Sequence, residues 1–181
     1  MASNATPTCD THGMAVNDVA GRLLLARSRL DDLRGEVEAR APWPASENFG
    51  AEPESSWYPP ELLAHVAEMV PYWMAQIERI LEGYPEPVPF GRVQTDEERI
   101  AAIGRDRALP VGELFDRIDD RTELAARRLG EFSAEQIERR GTHPTRGEMT
   151  VGAVVERMLI HHIEEHVEQL GSILASGPER G

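Results

Sequence analysis

The stretch Val151–Leu174 constrains this chain more than any other, because two histidines one helical turn apart, His162 and His166, interrupt its apolar stripe. On a wheel of about 100° per residue, Val155, Leu159, Leu170 and Ile173 all fall within about 80° of His162. His166 lies inside that stripe at about 40°, whereas His161 falls on the flank at about 260°, beside Glu165. A helix with such a face packs against other helices and carries both imidazoles inward. Two buried imidazoles need several partners, and each prefers to be neutral. A single metal ion shared by positions i and i+4 satisfies one nitrogen of each. A third imidazole from a facing helix would complete a three-nitrogen site with room left for water or substrate.

Three further stretches carry a helical period. Met14–Ala41 shows it through Val16, Val19, Leu23, Leu24, Leu30, Leu33 and Val37, and Pro42 and Pro44 stop it. Pro59–Leu81 opens on two prolines suited to a first turn, and Gly83 is placed to end it. Pro71 lies inside, where it should kink the helix or interrupt its hydrogen bonds about a turn beyond His65. Val111–Leu129 turns Leu114, Phe115, Ile118, Ala125 and Leu129 inward, with Gly130 at its end. Ser133 to Gln136 has capping-box spacing and opens a short helix to about Arg140. Thr150 is the N-cap expected for the last helix, after a Gly141–Met149 loop. No strand-like alternation stands out. The expected fold is all-α, a four-helix bundle with long connections after helices one and two. One domain spans 14–176, between a flexible leader (1–13) and a tail (177–181).

Those connections, Pro42–Tyr58 and Gly83–Pro110, are rich in proline, and the second holds a short helical piece at Asp96–Ile103. Loops of this length inside a domain are usually functional or mobile. Trp43, Phe49 and Trp57 in the first favour a loop packed over something.

Composition removes several function classes. Of 181 residues, 32 are Asp or Glu and 19 are basic, a net charge of −13 that argues against nucleic acid or an anionic membrane as partner. Every basic residue is arginine, so lysine Schiff-base, pyridoxal-phosphate and P-loop chemistry are excluded. The arginine bias also hints at a GC-rich bacterial genome. The single cysteine, Cys9, allows no internal disulfide and no thiolate zinc knuckle. No apolar run is long enough to span a bilayer and no secretory pattern opens the chain, so a cytoplasmic protein is expected.

His65 borders the apolar face of its helix (Leu62, Val66, Met69, Val70, Trp73, Ile77, Ile80), which suits a ligand reaching sideways and suits an exposed side chain equally. Spacing does not decide between them. The segment Trp57–Leu81, WYPPELLAHVAEMVPYWMAQIERIL, resembles the second helix of the DinB/YfiT-like superfamily, where a histidine follows a Trp-containing lead-in. Met149–Leu170, MTVGAVVERMLIHHIEEHVEQL, is similar to that superfamily's last helix in its Thr-Val start, its His-x-x-x-His pair and its Gln-Leu. Gly112 to Phe115 and the Ser133–Arg140 helix fall in the expected order between them. The resemblance implies a bundle holding a divalent metal, zinc or nickel, through His65, His162 and His166. It further implies an S-transferase or isomerase using a low-molecular-weight thiol, with mycothiol favoured by the GC-rich bias.

On that reading the protein is a metal-dependent enzyme acting on a small molecule, with a thiol cosubstrate. Three neutral imidazoles leave a cation's full charge available to lower the pKa of a thiol, or of water in the alternative of a hydrolase. A non-catalytic metal- or ligand-binding stress-response bundle is the other alternative, and a fourth protein ligand would favour it. Candidate assisting residues are Gln169, a turn beyond His166, Tyr72 and Gln76 at a pocket mouth, and His143 as acid or base. Glu68 and Glu165 are better read as exposed than as partners of the ligands. An exposed apolar patch on helix one would mark a homodimer.

Overall fold

The computed structural model describes residues 11–47, 49–51 and 53–176. Most of the expected leader and all of the expected tail (177–181) lie outside them. From Thr11 the chain is helical: α1 (Thr11–Asp31) is followed by α2 (Arg34–Ala39). The single helix expected over 14–41 is therefore broken at Asp32–Leu33. There the Leu33 N–H donates to the Leu30 carbonyl, three residues back instead of four, which tightens the last turn. Leu23, Leu30 and Val37 are fully buried on either side of the break.

Helix α3 (Pro59–Glu82) runs through the centre, with every residue from Glu61 to Ala67 buried. It continues through Pro71. Proline supplies no N–H for the carbonyl of Ala67, four residues back. Arg121 donates to that carbonyl instead. Gly83 closes α3 at φ −78°, so the left-handed conformation is not what requires glycine there. Close approach is: a Cβ on Gly83 would lie 2.2 Å from Val88 Cγ1 in the returning strand β1 (Val88–Pro89).

Asp96 caps α4 (Glu97–Asp106) by accepting from the Arg99 N–H, and α5 (Val111–Gly130) follows. The five inward residues expected of α5 are all buried. α6 (Ala134–Glu138) opens on a complete capping box between Ser133 and Gln136. The stretch Gly141–Met149, expected as a loop, instead belongs to the hairpin of β2 (Arg140–His143) and β3 (Gly147–Thr150). Its register pairs Arg140 with Thr150 and His143 with Gly147, and β1 pairs β2 in parallel. Four-residue strands made of Arg-Gly-Thr-His and Gly-Glu-Met-Thr are too short and polar to show alternation, and they pair through the turn that Gly147 (φ 72°) permits.

Thr150 caps the last helical segment, its hydroxyl accepting from the Ala153 N–H at 3.0 Å. The segment is continuous to Ser176 but not uniform. α7 (Val151–Val154) passes into a π-helical stretch, Val155–Ile160, and then into α8 (His161–Ser176). Such widened turns are frequent at functional sites, and this one ends directly before the helix that carries the histidine pair. α5 packs against both α1 and α3, and α1 packs against α8, around a core that includes Leu62, Leu114, Ile118, Leu159 and Leu170. Among the described residues no helix is long and apolar enough to cross a membrane.

Candidate metal centre

Three elements meet around the histidines: the middle of the first turns of α3, the start of α8, and the connection that leads into α3. His65 is 2 % exposed and His166 3 %. His162 is half-buried and borders a cleft, and His161 is exposed beside Glu156. The wheel's separation of His162 and His166 from His161 is thus the arrangement seen, even though a π-helical stretch precedes them. The ring centroids of His65, His162 and His166 stand 5.0, 5.2 and 4.8 Å apart pairwise.

A fourth residue joins them. One ligand atom each from Glu54, His65, His162 and His166 lie within 4.8 Å of one another. Glu54 occupies the single 3₁₀ turn Glu54–Ser56 in the first connection. Its carbonyl accepts from Gln169 Nε2 at 2.8 Å, its carboxylate is paired with Arg99, and its Oε2 is 3.7 Å from His162 Nε2. The connection is held down elsewhere by Glu61, which is wholly buried. The Glu61 carboxylate accepts from the Ser46 N–H at 3.0 Å and from Arg107 at 2.8 Å. The aromatics do pack the loop: Phe49 lies 5.5 Å from Trp57, whose ring meets His65 edge-on at 5.7 Å.

Whether this set fits a metal is answered by its own hydrogen bonds. Gln169 Nε2 is committed to Glu54, so its Oε1 accepts from His166 Nδ1–H at 3.2 Å. That leaves His166 Nε2 with a lone pair, and among the described residues this buried atom has no hydrogen-bond partner. An orphaned buried acceptor is costly. His65 Nε2 and His162 Nε2 are 3.3 Å apart. Two nitrogens bonded to one tetrahedral ion at about 2.05 Å stand about 3.3 Å from each other. Arg99 lies 3.5 Å from His65 Nδ1, too long to fix that ring's tautomer when the guanidinium is already committed to Glu54 and the Gln94 carbonyl. The cluster could hold a metal ion.

Electrostatics prepares the same donors. Burial, then the neighbouring His166 and His162, holds His65 well below the ordinary imidazole range. Burial and His162 bring His166 down to about 4. Both rings are therefore neutral near pH 7, as ligands must be. Burial raises the Glu54 carboxyl, but the neighbouring His162 and the charge of Arg99 outweigh it and the net direction is down.

Above the cluster opens a cleft of about 700 Å³, into which Glu54, His65 and His162 face. His143 lies on its wall. The Thr145 N–H donates to His143 Nδ1 at 3.3 Å, so the neutral ring carries its proton on Nε2. Trp73 and Phe90 hold the ring, and a Cβ on Gly91 (φ 83°) would lie 2.4 Å from it. Tyr72 and Gln76 lie elsewhere: neither lines the cleft. Arg92 stacks 3.7 Å over the Tyr72 ring while pairing with Glu68 at 2.5 Å, and Gln76 accepts from the Gly91 N–H at 2.8 Å. Glu68 is thus partnered and half-buried, while Glu165 is exposed at the cleft's edge. Glu54 is the group that the sequence conceals. It is one of 32 acidic residues, in a stretch with no period to place it; the flanking aromatics were its only signal.

Fold and site together define a helical-bundle protein with a His/Glu cluster that could hold a metal ion. The family model described as the DinB superfamily matches residues 22–170, and the chain belongs to that superfamily. No curated protein and no solved structure gives a significant match.

Proposed function

We propose that this protein is a metal-dependent enzyme acting on a small molecule, and that the reaction is transfer or isomerisation at the sulfur of a low-molecular-weight thiol of the mycothiol type. The observation that carries the metal-dependent part is the buried Nε2 of His166, partnerless among the described residues, in a cluster with three further donor residues at the floor of a cleft. The thiol rests on the resemblance of the two histidine segments to DinB-like enzymes. His65, His162 and His166 would hold the cation, zinc or nickel. A bound cation supplies Lewis acidity, lowering the pKa of a thiol or water that reaches it.

The chain's own residues do the rest. Gln169 fixes the tautomer of His166 and, through the Glu54 carbonyl, the position of the connection. Arg99 holds the Glu54 carboxylate beside His162, where an ionised carboxylate can accept a proton from an incoming nucleophile. Trp57 and Phe49 cover the site's inner side and exclude water there. His143 lines the cleft with its proton on Nε2.

Glu54 also supports a second reading. Four protein donors would close the coordination shell and make the metal structural. Metal analysis of the purified protein beside a His162→Ala/His166→Ala variant tests the site, and equal metal content in the two would remove it. Mixing the metal-loaded protein with mycothiol and a model electrophile then tests the chemistry. Conjugate formed above the variant's background is the expected result. Ester hydrolysis without conjugate would replace the transferase with a hydrolase, and neither activity would leave the structural reading.

A further inference from the structure

The cleft's walls carry charges that the metal cluster does not use. In a chain with 32 acidic and 19 basic residues, an arginine should seldom lack a carboxylate. Most here have one: Arg22 pairs with Glu156, Arg27 with Asp119, Arg34 with Glu38 and Asp116, Arg107 with Glu61, Arg128 with Glu78. Deep in the cleft the same holds, since Arg92 is paired with Glu68 and Arg99 with Glu54. Arg146 and Arg157 differ. Both are exposed, both line the cleft, and among the described residues neither has an ion-pair or hydrogen-bond partner. They reach it from separate elements, Arg146 from the turn between β2 and β3 and Arg157 from the π-helical stretch before the histidine pair.

Arg92 faces Glu68 and Asp96, and Arg99 faces Glu54, so the open cations of the cleft are Arg146 and Arg157, with Glu165 lining it as well, in a chain of net charge −13. Unpaired cations in a cleft draw in ligands of negative charge. His143 and Thr145, on the hairpin that carries Arg146, line the same cleft. Guanidinium forks are suited to carboxylate and phosphate oxygens, which they bind in pairs of hydrogen bonds.

We infer that Arg146 and Arg157 form an oxyanion subsite, and that the small molecule handled in this cleft carries a carboxylate or phosphate group gripped at the mouth while its reacting end lies toward the histidines. The subsite deepens the metal-dependent reading in taking the cleft as the substrate's place, but the grip itself needs no metal.

The test is binding by calorimetry, with succinate and inorganic phosphate as probes and succinamide as the uncharged counterpart. Wild-type protein is expected to bind succinate or phosphate and not succinamide, and the tighter of the two identifies the group. Arg146→Gln and Arg157→Gln are each expected to weaken that binding about tenfold, the effect of losing one charge-assisted contact. Arg79→Gln/Arg127→Gln removes two exposed, partnerless arginines that lie outside the cleft, and should leave it unchanged. Three outcomes overturn the proposal: no preference for the anions over succinamide, unchanged binding in both cleft variants, or equal weakening in the control. Metal content measured on the same preparations keeps the two readings apart. A wild-type protein that takes up no added zinc or nickel at the histidines but still prefers the anions sinks the metal-dependent enzyme and leaves the subsite standing. Full metal content with no anion preference does the reverse.

Discussion

The face where α1 meets α5 and the face where α3 meets α8 are built from the same kinds of residue but finished differently. On the first, apolar side chains such as Leu23, Leu30, Leu114 and Ile118 are fully or almost fully buried, and the polar edge closes on itself through Arg27–Asp119 and Arg34–Asp116. On the second, among the described residues, a buried imidazole nitrogen has no hydrogen-bond partner and two arginines at the cleft have no ion-pair partner, and the helix opens into a π turn. The first face spends most of its polar groups on itself, although Arg27 Nε, Asp31 Oδ1 and Thr122 Oγ1 on α1 and α5 are also buried without a hydrogen-bond partner among the described residues. The second gathers its unpartnered groups at the floor and mouth of a cleft, beside a stretch of irregular helix.

The largest expected effect falls on the open face. His162→Ala/His166→Ala should take bound metal from about one ion per chain to background, read by elemental analysis, while circular dichroism stays helical. On the closed face, Leu114→Ala should destabilise by about 2–5 kcal/mol, the usual cost of an emptied core position, in urea unfolding. Its metal content should not change while the protein is folded. Both results reversed would erase the contrast between the two faces.

A pH series sharpens it. His166 titrates near 4 in the fold and near 6.5 when unfolded, so between those values the unfolded chain binds more protons. Stability of the metal-free protein should therefore be full above about pH 6.5 and fall toward pH 4, by roughly 3 kcal/mol at about 1.4 kcal/mol per pH unit. Urea midpoints that are flat across that window would show that His166 is not buried neutral. Gln169→Leu, which frees the His166 ring, should weaken metal affinity about 10–100-fold in chelator competition. The smallest effect concerns packing alone: Arg121→Leu leaves the Ala67 carbonyl unanswered beneath Pro71, at about 1–3 kcal/mol in thermal unfolding with metal binding intact.

The sequence made the closed face and half of the open one legible. A 3.6-residue period is a property of burial, so α3, α5 and the last helix could be placed to within a few residues, and so could the inward turn of His162 and His166. The period was silent on His65, which the structure puts at the centre of the cluster and the apolar pattern puts at a border. It was silent on Glu54 for a plainer reason: a carboxylate in an irregular connection is placed by what the connection packs on, here Gln169, Arg99 and the Trp57 ring. The hairpin escaped because four polar residues per strand carry no pattern, and its pairing is set by tertiary neighbours such as β1. The π turn changes the phase of the last helix without changing which residues are apolar.

His65 and His162 stand 97 positions apart along the chain, with Glu54 still further upstream. A cation gripping both ends would act as a removable staple, shrinking the freedom of the denatured chain much as a covalent bridge across that span does. The only cysteine can make no such bridge within the chain, so resistance to heat and to proteases should rise and fall with the supply of the ion.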